Sequence, residues 1–306
     1  MVAIPLPVRR RALLVVNPAS RLGRRYHRIA LAAFKAAGVR CDAVLTEHQG
    51  QGAEIALSLA PRYDMVFTLG GDGTAMEVVG ALAGTGRPVG ILPGGTGNLI
   101  ARTLGIPLNI RRAVAVLLTG EEAQVDLGRL SVGGRHFAFA AGVGVDASMI
   151  AEASSDLKRH LGVLAYVFSW TRAAFRRDLF RVRITIDGEV VEKDATAVMI
   201  ANFGAVLNDL MTLGPGIRPD DAKLDLCVFS PYTAWDAVRI AWKLLRKDFT
   251  SDPCMFYRAG RQFRIETLPP RPAQADGELL GPTPFEVSVE PLAAQLLVPS
   301  GRSART

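Results

Sequence analysis

Short apolar runs alternate with helical patterns along the first third of the chain. The apolar runs predict buried strands, and the segments between them carry apolar residues at the spacings of three and four that indicate helices. The predicted strands are Ala12–Val16, Val39–Thr46, Met65–Leu69 and Pro88–Leu92, and the predicted helices are Tyr26–Ala37, Ala53–Ala60, Thr74–Ala83, Asn98–Thr103 and Arg111–Leu118. This alternation is typical of an α/β domain with a mainly parallel sheet, whose ligands bind beyond the carboxyl ends of the strands.

The pattern changes near Val125, where short strands joined by glycine-containing turns predict an antiparallel β-sandwich. The predicted strands are Val125–Val132, Phe137–Ala141, Phe180–Asp187, Val190–Ala201, Lys223–Phe229, Gln262–Thr267 and Phe285–Leu297, and helices are predicted around Leu157–Phe175 and Trp235–Phe249. We therefore expect an α/β domain at residues 1–126, completed by residues 290–302, and a sandwich domain at residues 127–289.

Composition favours a folded protein with an anionic partner. Of the 306 residues, 49% are apolar and 21% are charged, which supports a sizeable core, and the net charge is +7. A positive charge suits a nucleotide phosphate, a polyanion or an anionic membrane, and it does not choose among them. The three cysteines are far apart in sequence, which argues against a disulfide framework or a zinc site and favours a reducing cytoplasm. We identify no signal peptide and no apolar stretch of the roughly 18 residues that cross a membrane, so any membrane contact is expected to be peripheral.

The segment GGDGT at Gly70–Thr74 has the features of a phosphate-binding turn. It follows a predicted buried strand and opens a predicted helix. Glycines Gly70, Gly71 and Gly73 allow backbone N–H groups to approach an anion, and the amino end of the helix adds a positive dipole. Asp72 is suited to position Mg²⁺ or a ribose hydroxyl. A tight strand-to-helix turn is the alternative interpretation, and the glycine content disfavours it.

Further turns are predicted at the same edge of the sheet. The segment ILPGGTGN repeats the strand–glycine–helix arrangement, with Gly94 expected in the phosphate-binding turn, and the side chains of Thr96 and Asn98 either hold phosphates or cap the next helix. The segment NPAS ends the first strand, and Thr46 ends the second. Both are candidates for nucleotide contact, although Thr46 is equally suited to a strand-end role.

The order of these motifs is similar to that of the diacylglycerol kinase and sphingosine kinase family. NPAS, GGDGT, LPGGTGN, GVGVDA at Gly142–Ala147 and QADGE at Gln274–Glu278 occur in that order. The resemblance is closest to bacterial lipid kinases that have no membrane span and in which a nucleotide domain precedes a β-sandwich lipid domain. It implies a kinase that moves a phosphoryl group from ATP, with Mg²⁺, to a lipid hydroxyl.

The resemblance also implies roles for particular residues. It implies ATP contacts at Asn17, Pro18, Ala19, Ser20, Arg21, Thr46, Gly71 to Glu77 and Thr96. It places the catalytic base at Asp276 or Glu278, although Asp276-Gly277 taken alone is typical of an ordinary hairpin turn. It further implies a structural cation held by Asp221 and by the backbone carbonyls of Arg218 and Lys223, with Ala222 standing where glycine is usual.

A basic amphipathic helix is predicted near Trp235. Large apolar groups recur there at spacings of three and four, and Arg239, Lys243, Arg246 and Lys247 fall on another face. Two interpretations are open, packing of the helix on the sandwich or docking of its basic face on anionic lipid. Lys158–Arg177 presents the same choice.

The partner expected is therefore a lipid at the inner face of the membrane, with no nucleic acid and no membrane-spanning segment, and a homodimer is left open. Two alternatives are an NAD kinase, which shares the GGDGT turn, and a lipid-binding protein without catalysis. The order of LPGGTGN and the late Asp-Gly-Glu favours the lipid kinase, and the intact Asp72, Thr96, Asp276 and Glu278 argue against loss of activity.

Overall fold

A computed structural model describes residues 4–5, 11–20, 23–144, 179–206, 211–276 and 278–301. The chain divides into two compact units: Met1–Leu127 with Pro291–Thr306, and Gly128–Glu290. The predicted helix Leu157–Phe175, the segment Lys158–Arg177, Arg21, Gly277 and the last three residues of GVGVDA lie outside the described residues.

The first unit is an α/β layer structure. Its strands are β1 Ile4–Pro5, β2 Arg11–Val16, β3 Arg40–Leu45, β4 Met65–Gly70, β5 Pro88–Pro93 and the start of β6 Glu121–Leu130, and its helices are α1 Gly23–Ala36, α2 Gln51–Leu59, α3 Asp72–Ala81, α4 Leu99–Thr103 and α5 Ile110–Leu118, with a 3₁₀ turn at Ala60–Arg62. Strands β5, β4, β2 and β3 are parallel neighbours in that order. The last half of β19, Phe285–Val298, pairs in parallel with β5.

The strand order places a topological switch point between β2 and β4. The chain leaves β2 for β3 on one side and later returns to β4 on the other. Helices that follow β2 and β4 therefore diverge, and the crevice at the carboxyl ends of these two strands is the usual ligand position in open α/β sheets.

The core of this unit comes from the apolar strands. Residues Ala12 to Val16 and Val66, Phe67 and Leu69 are fully buried. Phe34 of α1 packs edge-on against Phe67, with ring centroids 4.7 Å apart. Burial of both faces explains why these strands are continuously apolar in sequence.

The second unit is an antiparallel sandwich. One sheet has the order β10 Glu189–Ala195, β9 Phe180–Ile186, β16 Gln262–Leu268 and the first half of β19. The other has the order β15 Met255–Gly260, β14 Leu224–Phe229, β11 Ala197–Ala201, β8 Ala140–Val143, β17 Pro272–Ala275 and β18 Glu278–Pro282. Short pieces complete it: β7 His136–Phe137, which pairs with the end of β6, and the hairpin of β12 Ala205–Val206 with β13 Met211–Thr212.

Alternation along the strands divides this unit into two cores. Val198, Ile200, Leu226 and Val228 point between the two sheets with the apolar residues of β9, β16 and β19. The intervening Ala197, Ala201, Cys227 and Phe229 face the other way, where they meet the helix α6, Ala234–Arg246. The period of two thus produces a sandwich with one helix packed on its outer face.

The fold class predicted from sequence is confirmed, with corrections to individual strands. Phe137–Ala141 is not one strand, because it divides into β7 and β8. Val190–Ala201 divides at Thr196, and the parts β10 and β11 belong to different sheets. An apolar run does not show the corner at which a strand changes sheets. Strands β15, β17 and β18 were not predicted.

Candidate functional site

The three loops that follow β2, β4 and β5 are bonded together at the switch point. The Asn17 N–H donates to the Leu69 carbonyl at 2.9 Å, and the Gly94 N–H donates to the Gly70 carbonyl at 2.8 Å. The Asn17 side-chain amide donates to Thr74 Oγ1 at 3.0 Å. The structure therefore brings together NPAS, GGDGT and LPGGTGN, as their positions after neighbouring strands predicted.

The NPAS turn is fixed by its own polar groups. Asn17 Oδ1 accepts the Ala19 N–H at 2.9 Å, and Ser20 Oγ donates to the Asn17 carbonyl at 2.8 Å. Pro18 lies in the turn between Asn17 and Ala19. The side chain of Asn17 thus shapes its own loop and bonds Thr74 of the next one.

Glycine is required where the second and third loops touch. A Cβ added to Gly95 would lie 2.6 Å from the Cα of Gly71, and one added to Gly94 would lie 3.0 Å from the backbone nitrogen of Gly70. The atoms met are backbone atoms, which cannot rotate away. The two loops therefore approach each other backbone to backbone, which a side chain at Gly95 would prevent.

The amino end of α3 opens toward these loops. The first bond of the helix ladder runs from the Ala75 N–H to the Gly71 carbonyl. The N–H groups of Asp72, Gly73 and Thr74 precede that ladder, as in every helix, and they carry the positive end of the helix dipole. This geometry suits an anion such as a phosphate.

Asp72 has a structural contact that its sequence position did not reveal. Its Oδ1 accepts the Ile100 N–H at 3.0 Å, which caps α4 from 28 residues away. Its Oδ2 faces Gly97, whose added Cβ would lie 3.2 Å from it. The carboxylate thus joins the GGDGT and LPGGTGN loops.

The alternative in which the side chain of Asn98 caps α4 is not observed. Asn98 stands at the amino end of α4, but its side chain makes no capping bond there. Its amide instead accepts the Gly95 N–H and donates to the Gly95 carbonyl, each at 2.9 Å. These two bonds close the loop from Gly95 to Asn98. The left-handed backbone conformation of Asn98 directs its side-chain amide toward Gly95. Thr96 is exposed at the tip of that loop.

The loop between β3 and α2 begins at Thr46 and is bonded at Gly50 by Glu77. Thr46 is buried, and its N–H donates to the Val16 carbonyl at 2.8 Å. Glu77 of α3 accepts the Gly50 N–H at 2.9 Å, at the amino end of α2. A carboxylate in this position stabilises α2 through its dipole. These contacts give Glu77 a structural role beside the predicted nucleotide contact.

Asp276 is held by backbone groups of the second unit. It occupies the turn between β17 and β18 with a left-handed φ of 47°. Its Oδ2 accepts the Ala138 N–H at 2.7 Å, and its Oδ1 accepts the N–H groups of Phe139 and Ala140, each at 3.0 Å. Three converging donors fix the orientation of the carboxylate.

Glu278 has a different environment. It begins β18 and forms an ion pair with Arg135 at 2.5 Å, with about a third of its side chain exposed. An exposed side chain held by one ion pair is less firmly oriented than Asp276. The two carboxylates that the sequence could not separate are thus distinguished by the number of hydrogen bonds that hold each one.

Sequence reasoning missed the residues that support Asp276. The turn of Ala138 to Ala140 supplies the three N–H donors, and Asn202 donates from its side chain to the Ala138 carbonyl at 2.9 Å. Asn202 is completely buried. An asparagine directly after the apolar strand β11 is a sequence signal that could have found it, since buried amides are usually bonded. Arg135 carried no signal.

The predicted cation loop contains several carboxylates. Asp221 Oδ1 accepts the Lys223 N–H at 3.1 Å, and Arg218 pairs with Asp220 at 3.2 Å. Ala222 has a left-handed φ of 60°, so the backbone takes the conformation that glycine favours. Burial, and secondly the charge of Asp221, raise the pKa of Asp225 to about 6. Among the described residues no cluster of three or more His, Cys, Asp or Glu side chains surrounds a common point.

Within the described parts of the chain, every helix is too short or too polar to cross a bilayer.

Comparison with known protein families accounts for both units. Residues 11–130 match the profile of the diacylglycerol kinase catalytic domain. Residues 140–298 match that of the YegS C-terminal NAD kinase beta sandwich-like domain. The second match covers more than half of the chain.

Relatives extend along most of the chain. The diacylglycerol kinases of Staphylococcus carnosus and Bacillus subtilis are each 28% identical to it, over 90% of this chain and 91% and 92% of their own lengths. An uncharacterized protein of Synechocystis is 33% identical over 76% of this chain, which is 54% of that longer protein.

A solved structure agrees with these relatives. The crystal structure of a Bacillus anthracis protein assigned as a diacylglycerol kinase superposes with a TM-score of 0.76 at 25% identity, covering 96% of both chains. Together with the glycine loops and the Asp-Gly-Glu turn, these matches show that the chain belongs to the diacylglycerol kinase family of lipid kinases, in which a catalytic domain is followed by a YegS-type sandwich.

Proposed function

We propose that this lipid kinase transfers the γ-phosphoryl group of ATP to the hydroxyl of diacylglycerol. The observation that carries the nucleotide part is the backbone-to-backbone contact of Gly95 with Gly71 at the amino end of α3. The names of the relatives support diacylglycerol as the acceptor. In this proposal residues 1–126 with 290–302 bind ATP, and residues 127–289 bind the lipid.

Phosphoryl transfer requires the acceptor hydroxyl to be oriented toward the γ-phosphate and to lose its proton. The acceptor oxygen forms a bond to the γ-phosphorus, the bond from that phosphorus to the leaving ADP oxygen breaks, and the hydroxyl proton needs an acceptor. Asp276 is the proposed acceptor because three N–H groups hold its carboxylate in one orientation. Positioned general bases typically contribute about 10²–10⁴-fold.

Mg²⁺ is part of the proposal. When bound, it neutralises phosphate charge, and it usually keeps one or two carboxylate ligands beside phosphate oxygens and water. Asp72 fits this role at the glycine loops, since its Oδ1 is fixed by Ile100 while its Oδ2 faces Gly97. The residues Arg218, Asp221 and Lys223 are proposed as a separate structural cation site.

Lipid substrate reaches such an enzyme at a membrane surface. We accordingly propose that the protein acts in the cytoplasm and associates peripherally with the inner face of the membrane. A positive net charge of +7 supports association with anionic lipid.

A labelled-ATP assay tests the function directly. The protein is given [γ-³²P]ATP and one acceptor at a time: diacylglycerol, a sphingoid base or ceramide in mixed micelles, or NAD in solution. We expect the radiolabel on diacylglycerol. The panel includes three lipids because each of them carries a hydroxyl that can accept a phosphoryl group. Diacylglycerol is the expected acceptor because the first unit matches the diacylglycerol kinase catalytic domain. Thin-layer chromatography identifies the labelled product.

The panel also separates the alternatives. Label on NAD would replace the proposal by an NAD kinase. Retention of lipid without any labelled product would indicate a catalytically silent lipid-binding protein. Label on ceramide or the sphingoid base in preference to diacylglycerol would change the acceptor and leave the kinase proposal standing.

The cation site predicts a stabilising effect of Mg²⁺ without nucleotide. At a hundredfold excess over its Kd a ligand stabilises the folded state by about 2.7 kcal/mol, which for a protein of this size corresponds to a rise in Tm of roughly 4 °C. We expect this rise in the wild type and its loss in Asp221→Asn. Calorimetry measures it.

The matched control is Glu192→Gln, which removes an exposed carboxylate of the same unit that pairs with Arg183. It is expected to keep the Mg²⁺ effect. An equal response of Asp221→Asn and the wild type would contradict the site.

A further inference from the structure

Helix α6 exposes a stripe of large apolar side chains. Trp235 is 73% exposed, Trp242 57% and Val238 38%, and Tyr232, two residues before the start of the helix, is 55% exposed. These four residues are called the aromatic face. Residues 235, 238 and 242 lie three and four apart, so they share one side of the helix.

The opposite side of α6 is already used for packing. Ala237, Ile240, Ala241 and Leu244 are buried. Ile240 and Leu244 pack with Phe229 and Cys227 on the outer face of the sandwich. The aromatic face is therefore not needed to pack α6 on the sandwich, because other residues of the helix make those contacts.

The helix is also fixed at its amino end. Thr233 and Asp236 form a reciprocal capping box, in which each side chain accepts the backbone N–H of the other. A capped and packed helix presents its outer residues without further ordering of the backbone. The backbone that carries the aromatic face is thus fixed by its cap and by its packing.

The basic residues of α6 fall into two groups. Arg239 pairs with Asp236 at 3.0 Å and with Asp252 at 3.2 Å, and Lys243 lies 3.6 Å from Asp252 and donates to the Thr250 carbonyl at 3.0 Å. These contacts occupy Arg239 and Lys243 within the unit. Of the two interpretations that the sequence left open, packing within the unit therefore describes Arg239 and Lys243.

Arg246 and Lys247 form the second group, at the carboxyl end. Arg246 stacks over the ring of Trp242, with its guanidinium carbon 4.9 Å from the ring centroid. Within the described residues, neither Arg246 nor Lys247 forms an ion pair with an acidic side chain. Asp248 is the acidic group beside them, and bonds to Thr250, followed by the charges of Lys243 and Arg246, lower its pKa.

This combination matches a lipid interface better than a protein interface. Tryptophan and tyrosine beside arginine and lysine are the residues enriched at the headgroup level of membranes. The exposed area of the aromatic face is on the order of 500 Å², given about 150–250 Å² for each aromatic side chain. A stable protein interface covers about 800 Å² per partner. The aromatic face is too small for a stable dimer by itself.

We propose that the aromatic face docks the protein on an anionic phospholipid bilayer, with Trp235 and Trp242 at headgroup depth and with Arg246 and Lys247 contacting lipid phosphates. The proposal rests on the proposed lipid-kinase function, whose substrate is held in a bilayer. It names the docking surface, which composition alone did not show.

Vesicle sedimentation tests the surface. With vesicles of phosphatidylglycerol and phosphatidylcholine, we expect Trp235→Ala/Trp242→Ala to lower the bound fraction at least about tenfold, because two large apolar anchors are lost. We expect Arg246→Gln/Lys247→Gln to weaken binding to these vesicles and to leave the weak binding to pure phosphatidylcholine unchanged. Activity on diacylglycerol dispersed in detergent should persist in both variants.

The matched control is Leu57→Ala/Val190→Ala, which removes two side chains that are each 57% exposed elsewhere on the molecule. It should bind vesicles like the wild type. In a Trp170→Phe background, Trp235 and Trp242 are the remaining tryptophans of the three. Their fluorescence should shift to the blue on vesicles and be quenched by brominated lipid.

Three results would overturn the proposal. These are unchanged sedimentation of the tryptophan variant, an absence of quenching, and a wild-type dimer that the tryptophan variant converts to monomer without any effect on vesicles. The last result would assign the aromatic face to a second copy of the chain. Failure of the kinase proposal is distinguishable, since vesicle binding without a labelled product would remove the function and leave the docking surface.

Discussion

Replacing Gly95 by alanine is expected to lower kcat/KM for ATP at least about 100-fold while the protein stays folded. The new Cβ would lie 2.6 Å from the Cα of Gly71, so the two glycine loops must separate. A displacement of about 1 Å at a phosphate cradle costs on the order of a hundredfold in rate. Steady-state kinetics with varied ATP, with circular dichroism as the folding check, measures the effect.

Gly71→Ala is the matched variant in the facing loop. A Cβ at Gly71 would meet the Cα of Gly95 at 3.8 Å, an ordinary contact. We expect a loss of less than about tenfold, because the loops keep their separation. Equal losses in the two variants would show that crowding between the backbones is not the cause.

Replacing Asp276 by asparagine is expected to lower kcat at least about 100-fold without changing ATP affinity. The amide is a poor proton acceptor, and its NH₂ group cannot accept an N–H from the Ala138–Ala140 turn as the carboxylate does. The second effect should also lower the free energy of unfolding by about 1–3 kcal/mol. Single-turnover assays, nucleotide titration and urea unfolding separate the three quantities.

Glu278→Gln provides the comparison for Asp276. It weakens one exposed ion pair with Arg135, and such pairs contribute less than about 1 kcal/mol. We expect a smaller loss of kcat and little change in stability. If Glu278→Gln were the more damaging variant, the base would be Glu278.

Much of the α/β unit could be predicted because its signals are local. Each strand end from Asn17 to Gly94 is marked by a turn motif, and parallel strands place such ends at one edge of a sheet. The adjacency of NPAS, GGDGT and LPGGTGN follows from that rule. The contacts between loops do not, since the capping of α4 by Asp72 joins residues 28 positions apart.

The sandwich was harder to predict. Its alternation indicated strands, but nothing near Thr196 shows that β10 and β11 belong to different sheets. The same limit applied to α6, where sequence spacing assigned Arg239 to a free basic face. Its partner Asp252 lies 13 positions later, and that pairing depends on how the chain returns after the helix.

The chain order of the two units has a consequence for synthesis. The strand that lies beside β5 in the first unit belongs to the segment from Pro291 onward, which follows the whole of Gly128–Glu290. While the ribosome makes the sandwich, β5 has an open edge of backbone N–H and C=O groups, and exposed strand edges invite association with other chains. We therefore expect nascent chains paused before Pro291 to depend on chaperones, and chains released beyond Val298 to lose that dependence.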